Sequence, residues 1–337
     1  MHAATFDAPG EVRIGEIPDP TPGPDELVVR VGACGICGTD LHIFAGDNPL
    51  AHYPVVPGHE FAGEVVALGS RAGQTGITVG RKVAVDPNLN CGYCEQCRAG
   101  RQNLCLNYRA IGVSIDGAIA EYVAVPEKKA YLLPDAMSYP DAALIEPIAC
   151  AVHGMHSINP KSGDTFLVAG AGPMGLMLLQ LALRGGASRV SVIDLNARRL
   201  ALAEQLGAHR TYGTIRSALA DEALGFNCVI DTTGVATVIE QAFGAVKRGG
   251  KLMVFGVSPH EARVSLSPFR IYNEEITIVG SMAVQNSFQA ALDLIQSGVI
   301  NARDLLSTPC SLEEFPQALE RVRRGEGLKT QIILTAD

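Results

Sequence analysis

The sequence predicts an α/β chain made of an irregular β-barrel lobe and a doubly wound parallel sheet. Three features predict it. The first third is a series of short β-rich runs, broken by glycine and proline roughly every 8–12 residues. Near Leu132 the character changes, and apolar strand-like runs then alternate with helical ones. From about Val284 the chain returns to a helical pattern and closes in a strand-like run, TQIILT.

In the first part, residues 27–31 are apolar and β-rich, and the preceding PDPTPGPDE is a turn-laden lead-in. Residues 83–85 and 122–125 read as further strands. In the second part, strands at 166–170, 189–194, 228–234, 251–256 and 275–281 alternate with helices at 173–183, 197–207 and 238–246. FQAALDLIQSG at 288–298 is helical. The natural layout is a discontinuous first domain, 1–150 with 284–337, around an inserted nucleotide-type domain at 151–283. A site in the cleft between the domains is then expected.

The 337 residues suit one large domain or two ordinary ones, and 47% apolar content supplies a sizeable core. Only 18% are charged, no tract is low in complexity and no fixed-period repeat is present, so disorder is expected only at the termini. A net charge of -8 argues against a nucleic-acid partner, and no lysine or arginine run marks a membrane surface. The start, MHAATFDAPG, lacks the basic-then-apolar form of a secretion signal, so a cytoplasmic location is expected. Residues 165–183 are uncharged over 19 positions, close to spanning length. Three glycines and a proline near its start fit a buried strand, tight turn and buried helix instead. Four of the nine cysteines fall between Cys91 and Cys105, a pattern of metal binding in a reducing compartment.

Gly170-Ala171-Gly172-Pro173-Met174-Gly175 matches G-x-G-x-x-G, follows an apolar strand and opens a helix. Asp194 ends the next strand, 19 residues after Gly175. The glycines would let the backbone approach a pyrophosphate at a helix N-terminus, and Asp194 would accept from the ribose hydroxyls. A carboxylate there repels a 2′-phosphate, which favours NAD over NADP, although Arg198 and Arg199 close behind could pair with one. The bland alternative is a strand–helix turn without a nucleotide.

Cys91, Cys94, Cys97 and Cys105 are spaced C-x2-C-x2-C-x7-C, which suits a closed tetrahedral zinc that pins a long loop. An iron–sulfur cluster is the rival, but its runs continue with a short spacer and Cys-Pro. A second set is Cys37, Thr39, Asp40 and His42 in GICGTDLH, His59 and Glu60 in GHEFAGEV, and Glu146 in LIEPIACAVHG. One thiolate, one imidazole and one or two carboxylates suit a metal with a position left open. Taken singly, Cys37 reads equally as a buried apolar cysteine, His59 as a core histidine and Glu146 as an exposed helix-start acid.

These motifs together resemble the zinc-containing medium-chain dehydrogenases, within them the polyol (sorbitol-like) branch. Gly58–Glu60, the four-cysteine lobe, Glu146–Pro147 and GAGPMG with Asp194 carry the resemblance, which covers essentially the whole chain. It implies a GroES-like β-barrel catalytic domain, a Rossmann NAD domain and two zinc ions per chain, one catalytic and one structural. Cys37 and His59 would be catalytic zinc ligands, with Glu60 and Glu146 binding directly or one step removed. Asp40 would orient His59. Thr39 would take the alcohol proton and pass it through the cofactor ribose towards His42. The implied reaction is hydride transfer from a secondary alcohol of a polyol or sugar alcohol to NAD, giving a ketose or ketone. Three anions around one zinc would be crowded, so Glu60 and Glu146 are not expected to bind tightly together.

Sorbitol-type enzymes commonly carry Arg-Tyr soon after the glycine matching Gly280, where Ala283 and Val284 stand here. This points to a smaller or differently shaped polyol. CGTDLHI also resembles threonine 3-dehydrogenases, which usually show Asp-Pro in place of Glu146-Pro147. A catalytically silent, crystallin-like binding protein is the reading from another class. An apolar edge strand at 276–281 and the resemblance both imply a homo-oligomer, a dimer or tetramer.

Overall fold

A computed structural model describes residues 1–335. The chain divides into two compact units. The first comprises Met1–Pro147, Val284–Ile295 and the chain from Ala302 onward; the second comprises Ile148–Ala283 and Gln296–Asn301. Gln296–Asn301 is tied to the second unit through Gln180, whose side-chain amide accepts from Asn301 N at 2.7 Å and donates to Asn301 O at 3.4 Å.

The first unit is built on an antiparallel sheet in the order Gln331–Ile333, Glu26–Gly35, Glu60–Leu68, Lys82–Val85, Ala130–Leu132, with Tyr122–Pro126 also paired to Glu26–Gly35. Glu26–Gly35 is the hub because it is apolar for most of its length and buried on both faces. Register shifts at Val28/Val29 and Val31/Ala33 bend it against Glu60–Leu68, as a barrel requires. Leu27, Val29, Val31, Phe61, Val65, Val83 and Val125 point into one core, which Phe6, Phe315 and Ile332 complete. An N-terminal hairpin, His2–Ala8 with Glu11–Glu16, lies outside this sheet.

The second unit is a six-stranded parallel sheet in the order Arg210–Tyr212, Arg189–Ile193, Thr165–Ala169, Phe226–Asp231, Val246–Val254, Thr277–Gly280. The order reverses between Thr165–Ala169 and Phe226–Asp231, the switch point where doubly wound sheets bind ligands at the strand C-termini. The uncharged stretch resolves into the buried strand Thr165–Ala169 and the helix Pro173–Arg184, buried from Gly175 to Gln180. No helix among the described residues is long and apolar enough to cross a membrane. The expected pairing of an irregular β unit with a doubly wound α/β unit is therefore met.

Candidate active site and metal centres

Strand register assembles the first candidate centre. Gly35, at the end of the hub strand, pairs with Glu60, the first residue of its neighbour. Cys37 lies two residues beyond Gly35, and His59 one residue before Glu60, so both strand ends deliver donors to one place. The turn before His59 needs glycine. Gly58 sits at φ +98°, and a Cβ there would fall 2.5 Å from Ile119 Cγ1 and 2.7 Å from Cys34 Sγ. The result brings a Cys37 sulfur, a His59 ring nitrogen and a Glu60 oxygen within 4.8 Å of one another.

Cys37 also caps the helix Gly38–Ala45, and Asp40 accepts from Cys37 N at 2.8 Å. The other Asp40 oxygen faces His59 Nδ1 at 3.7 Å, and both atoms are buried without a hydrogen-bond partner. That is longer than a hydrogen bond, and a small shift would close it. An imidazole whose second nitrogen serves a metal is held in this way. Burial works against a charged His59, yet Asp40 and Cys37 carry its pKa well above the usual value. Burial also raises the Asp40 carboxyl.

Sequence reasoning missed Lys329. It is 4% exposed, and its ammonium lies 2.5 Å from the Glu60 carboxylate, which is 1% exposed. It also donates to Ile36 O at 3.2 Å. Burial opposes its charge, but Glu60, Cys37 and Glu146 outweigh burial and raise its pKa. Glu146 is buried in the first turn of Ile145–Ile158 and acts electrostatically on both His59 and Lys329, although it is not in the three-donor group. Glu60 thus touches one buried ammonium, on which Cys37 and Glu146 also act electrostatically. A soft sulfur, a nitrogen and oxygens in an anion-rich pocket fit zinc.

Thr39 and His42 stand three apart on the same helix and share a face. Thr39 Oγ1 is 3.7 Å from Cys37 Sγ. His42 Nδ1 is 2.9 Å from Asp47 Oδ1 at the solvent side, where the His42 side chain is 29% exposed.

The second centre is the four-cysteine lobe. Cys91–Cys105, Cys94–Cys105 and Cys91–Cys97 sulfurs are 3.5, 3.9 and 4.0 Å apart. A tetrahedral zinc with Zn–S bonds of about 2.3 Å has sulfur–sulfur edges of about 3.8 Å, so the cage already has the right size. Backbone N–H groups of Cys91 and Asn107 donate to Cys105 Sγ, and that of Cys94 to Cys91 Sγ, at 3.3–3.4 Å. Although burial opposes it, donation from Tyr93 and Cys94 N–H brings the Cys91 thiol down to about 6. Burial pushes Cys97 up to about 11. The lobe is closed at its base by the pairing of Asn88–Leu89 with Arg109–Ala110. A partly buried ion pair, Lys129–Asp86 at 2.6 Å, anchors that base through Asn88 Nδ2, which donates to Asp86 at 2.7 Å.

The third feature is the glycine loop. A Cβ on Gly175 would fall 1.9 Å from Gly170 O, whereas one on Gly172 would meet nothing within 4 Å. Gly175 therefore serves packing, and Gly172 faces open space of the kind a pyrophosphate needs. Pro173 and Met174 open the helix behind it. Asp194 accepts from Ala171 N and from Asn196 N, each at 2.8 Å, so it braces the loop as well as facing any ribose. Asn196 caps the next helix through Arg198 N and Arg199 N, which keeps both arginines in its first turn.

Comparison with known proteins identifies the family. Residues 23–135 match the alcohol dehydrogenase GroES-like domain, and residues 173–297 match the zinc-binding dehydrogenase domain. The chain is 33% identical to D-arabinitol dehydrogenase 1 of Uromyces fabae over 98% of its own length and 97% of the relative's. It is 38% identical to D-altritol 5-dehydrogenase of Agrobacterium fabrum over 94% of each. An L-threonine 3-dehydrogenase of Saccharopolyspora erythraea matches at 34% over 95% of each. Among solved structures, a Sinorhizobium meliloti 1021 chain bound to NADP superposes with a TM-score of 0.93, 37% identity and 98% coverage of both chains. An alcohol dehydrogenase of E. coli CFT073 complexed with NADH gives 0.91, at 29% identity and 99% coverage of both. The fold and the two donor sets thus define a zinc-type dehydrogenase. The chain belongs to the zinc-binding alcohol dehydrogenase family and is an oxidoreductase.

Proposed function

We propose that this chain oxidises a secondary alcohol of a polyol or sugar alcohol with NAD, giving a ketose or ketone. The observation that carries the reading is the convergence of Cys37, His59 and Glu60 beside the helix that bears Thr39 and His42. Zinc held by Cys37, His59 and one of Glu60 or Glu146 would supply Lewis acidity to the alcohol oxygen, and NAD would supply the hydride acceptor. Thr39 Oγ1 receives the proton of the substrate hydroxyl, and the His42 ring is its exit towards solvent. Asp40 fixes the helix start and the His59 ring together. Lys329 holds Glu60 away from a free choice of partner, which supports the view that Glu60 and Glu146 do not both bind tightly. The four-cysteine lobe takes a second, structural zinc. Asp194 favours NAD over NADP. Cysteines grouped in metal-donor sets suit a reducing cytoplasm.

Threonine 3-dehydrogenase-like oxidation is the second reading, favoured by the relative named above and by CGTDLHI. Both candidate metal sets are intact, which speaks against a silent binding protein. One experiment separates all three. NAD reduction is followed with arabinitol, altritol, sorbitol and L-threonine, each with and without a chelator. Chelator-sensitive turnover of a polyol is expected. Turnover of threonine alone moves the assignment to the second reading, and no turnover by zinc-replete protein with any alcohol leaves the silent one.

A further inference from the structure

The glycine loop is held by more than its glycines. Thr232, just past the end of the Phe226–Asp231 strand, donates its backbone N–H to Ala169 O at 2.9 Å. Its hydroxyl lies 2.8 Å from the same oxygen and 3.2 Å from Gly170 O. The space it fills is the space two glycines vacate: a Cβ on Gly170 would stand 2.5 Å from Thr232 Oγ1, and one on Gly175 3.2 Å from it. The opposite side of the loop is held by the neighbouring strand. Gly170 N donates to Ile193 O and Ala171 N to Asp194, both at 2.8 Å.

Thr232 is itself fixed. Asp231, fully buried, accepts from Thr233 N at 3.1 Å, Thr233 Oγ1 at 2.6 Å and Gly234 N at 3.0 Å. Its backbone oxygen accepts from Phe255 N and Gly256 N at 3.0 and 2.9 Å. The turn that carries Thr232 is therefore locked into the sheet on both sides.

We infer that Thr232 is a positioning residue for the dinucleotide. Its hydroxyl bridges the carbonyls of Ala169 and Gly170 and sets the loop so that Gly172 and the first N–H groups of the Pro173–Arg184 helix face the pyrophosphate. A loop that must find this shape upon binding loses affinity for the ordering it then requires. The hydroxyl would not touch the reacting atoms, so its effect falls on cofactor affinity and leaves the chemical step alone. The inference rests on the reading that the chain binds NAD.

The test is an NADH fluorescence titration of the zinc-replete protein, with steady-state kinetics and thermal melting alongside. Thr232→Val removes the hydroxyl at nearly constant shape and should weaken NADH binding roughly five- to tenfold, the worth of one net hydrogen bond. The KM for NAD should rise in step while kcat at saturating NAD stays within about twofold. Thr232→Ser should restore the affinity. Thr232→Ala covers the case in which valine does not pack. Unchanged affinity in whichever of the two folds overturns the inference, and so does a serine variant as weak as valine. Failure of the natural protein to bind NADH would instead strike the NAD reading itself.

Discussion

Single residues carry unlike tasks in the candidate site, and substitution should separate them. Cys37→Ser replaces a thiolate with a neutral hydroxyl and should remove one zinc of two and nearly all turnover. Thr39→Val keeps the shape and should retain both zinc ions and NAD binding, with kcat reduced by roughly 100-fold or more because a proton acceptor is gone. Thr39→Ser should stay active, and His42→Ala should do less harm, since water reaches the His42 side chain at 29% exposure. Metal counts on each variant, set beside kcat, check the division of labour. Full turnover of Thr39→Val under rate-limiting hydride transfer would reduce Thr39 to packing. Lys329 gives a sharper stability test. Lys329→Met leaves the Glu60 carboxylate buried without its cation and should cost about 3–5 kcal/mol in urea unfolding, with part of the loss recovered by adding Glu60→Gln. Cys37, His59 and Glu60 were legible as candidates only through the family-like motifs that carry them, since singly each has a bland reading. Lys329 was not, because 269 positions separate it from Glu60 and a lysine just before a strand reads as exposed. Asp86 and Lys129, 43 positions apart, were hidden for the same reason.

At the scale of elements, legibility followed burial. Strands at the centre of the parallel sheet, such as Phe226–Asp231, are buried and apolar and announce themselves. Arg210–Tyr212 is a short strand at the sheet edge, with one exposed and two half-buried residues, so its pattern is too weak to read. The His2–Ala8 strand buries Ala3, Ala4, Thr5 and Phe6, and only the last two favour strands, so its signal is short. Two predictions belong to elements. The four-cysteine lobe is closed on itself, so dialysed protein should hold two zinc ions per chain and chelator should remove the lobe's metal last. Cys105→Ala should lose that zinc alone and open residues 91–105 to limited proteolysis; one zinc with full activity would refute the two-centre reading. On the proposed reading the strand-end acid Asp194 governs cofactor choice. Activity with NAD should far exceed that with NADP, and Asp194→Ala should narrow the gap. Arg198 and Arg199 oppose this preference, since both lie in the first turn of the helix that follows Asp194. Equal use of both cofactors by the natural protein would mean that an arginine wins over Asp194.

For the whole molecule the open question is assembly, and it starts from one edge of the parallel sheet. Thr277–Gly280 is the last strand, paired on one side only to Val246–Val254. An edge of this kind offers a row of unpaired backbone groups, and monomeric proteins usually blunt it with charge, proline or a covering element. Here the strand reads TIVG, with Ile278 41% exposed. The neighbouring helix Pro268–Asn273 adds Phe269 at 72% and Tyr272 at 83% exposure, and Met282 follows at 40%. Single exposed apolar residues are ordinary, but this many close together in sequence with a bare edge are expected to form a contact surface. A second copy turned about a two-fold axis would pair the two edges antiparallel and cover both sets of rings at once. We expect a dimer or a dimer-based tetramer, with an interface above about 1,200 Å² in total. Ile278→Lys places a charge at the centre of that contact and should yield monomers in sedimentation velocity, while zinc content and NADH binding stay intact. A natural protein that sediments as a monomer at micromolar concentration and moderate salt would rule this assembly out, and the exposed rings would then need another partner.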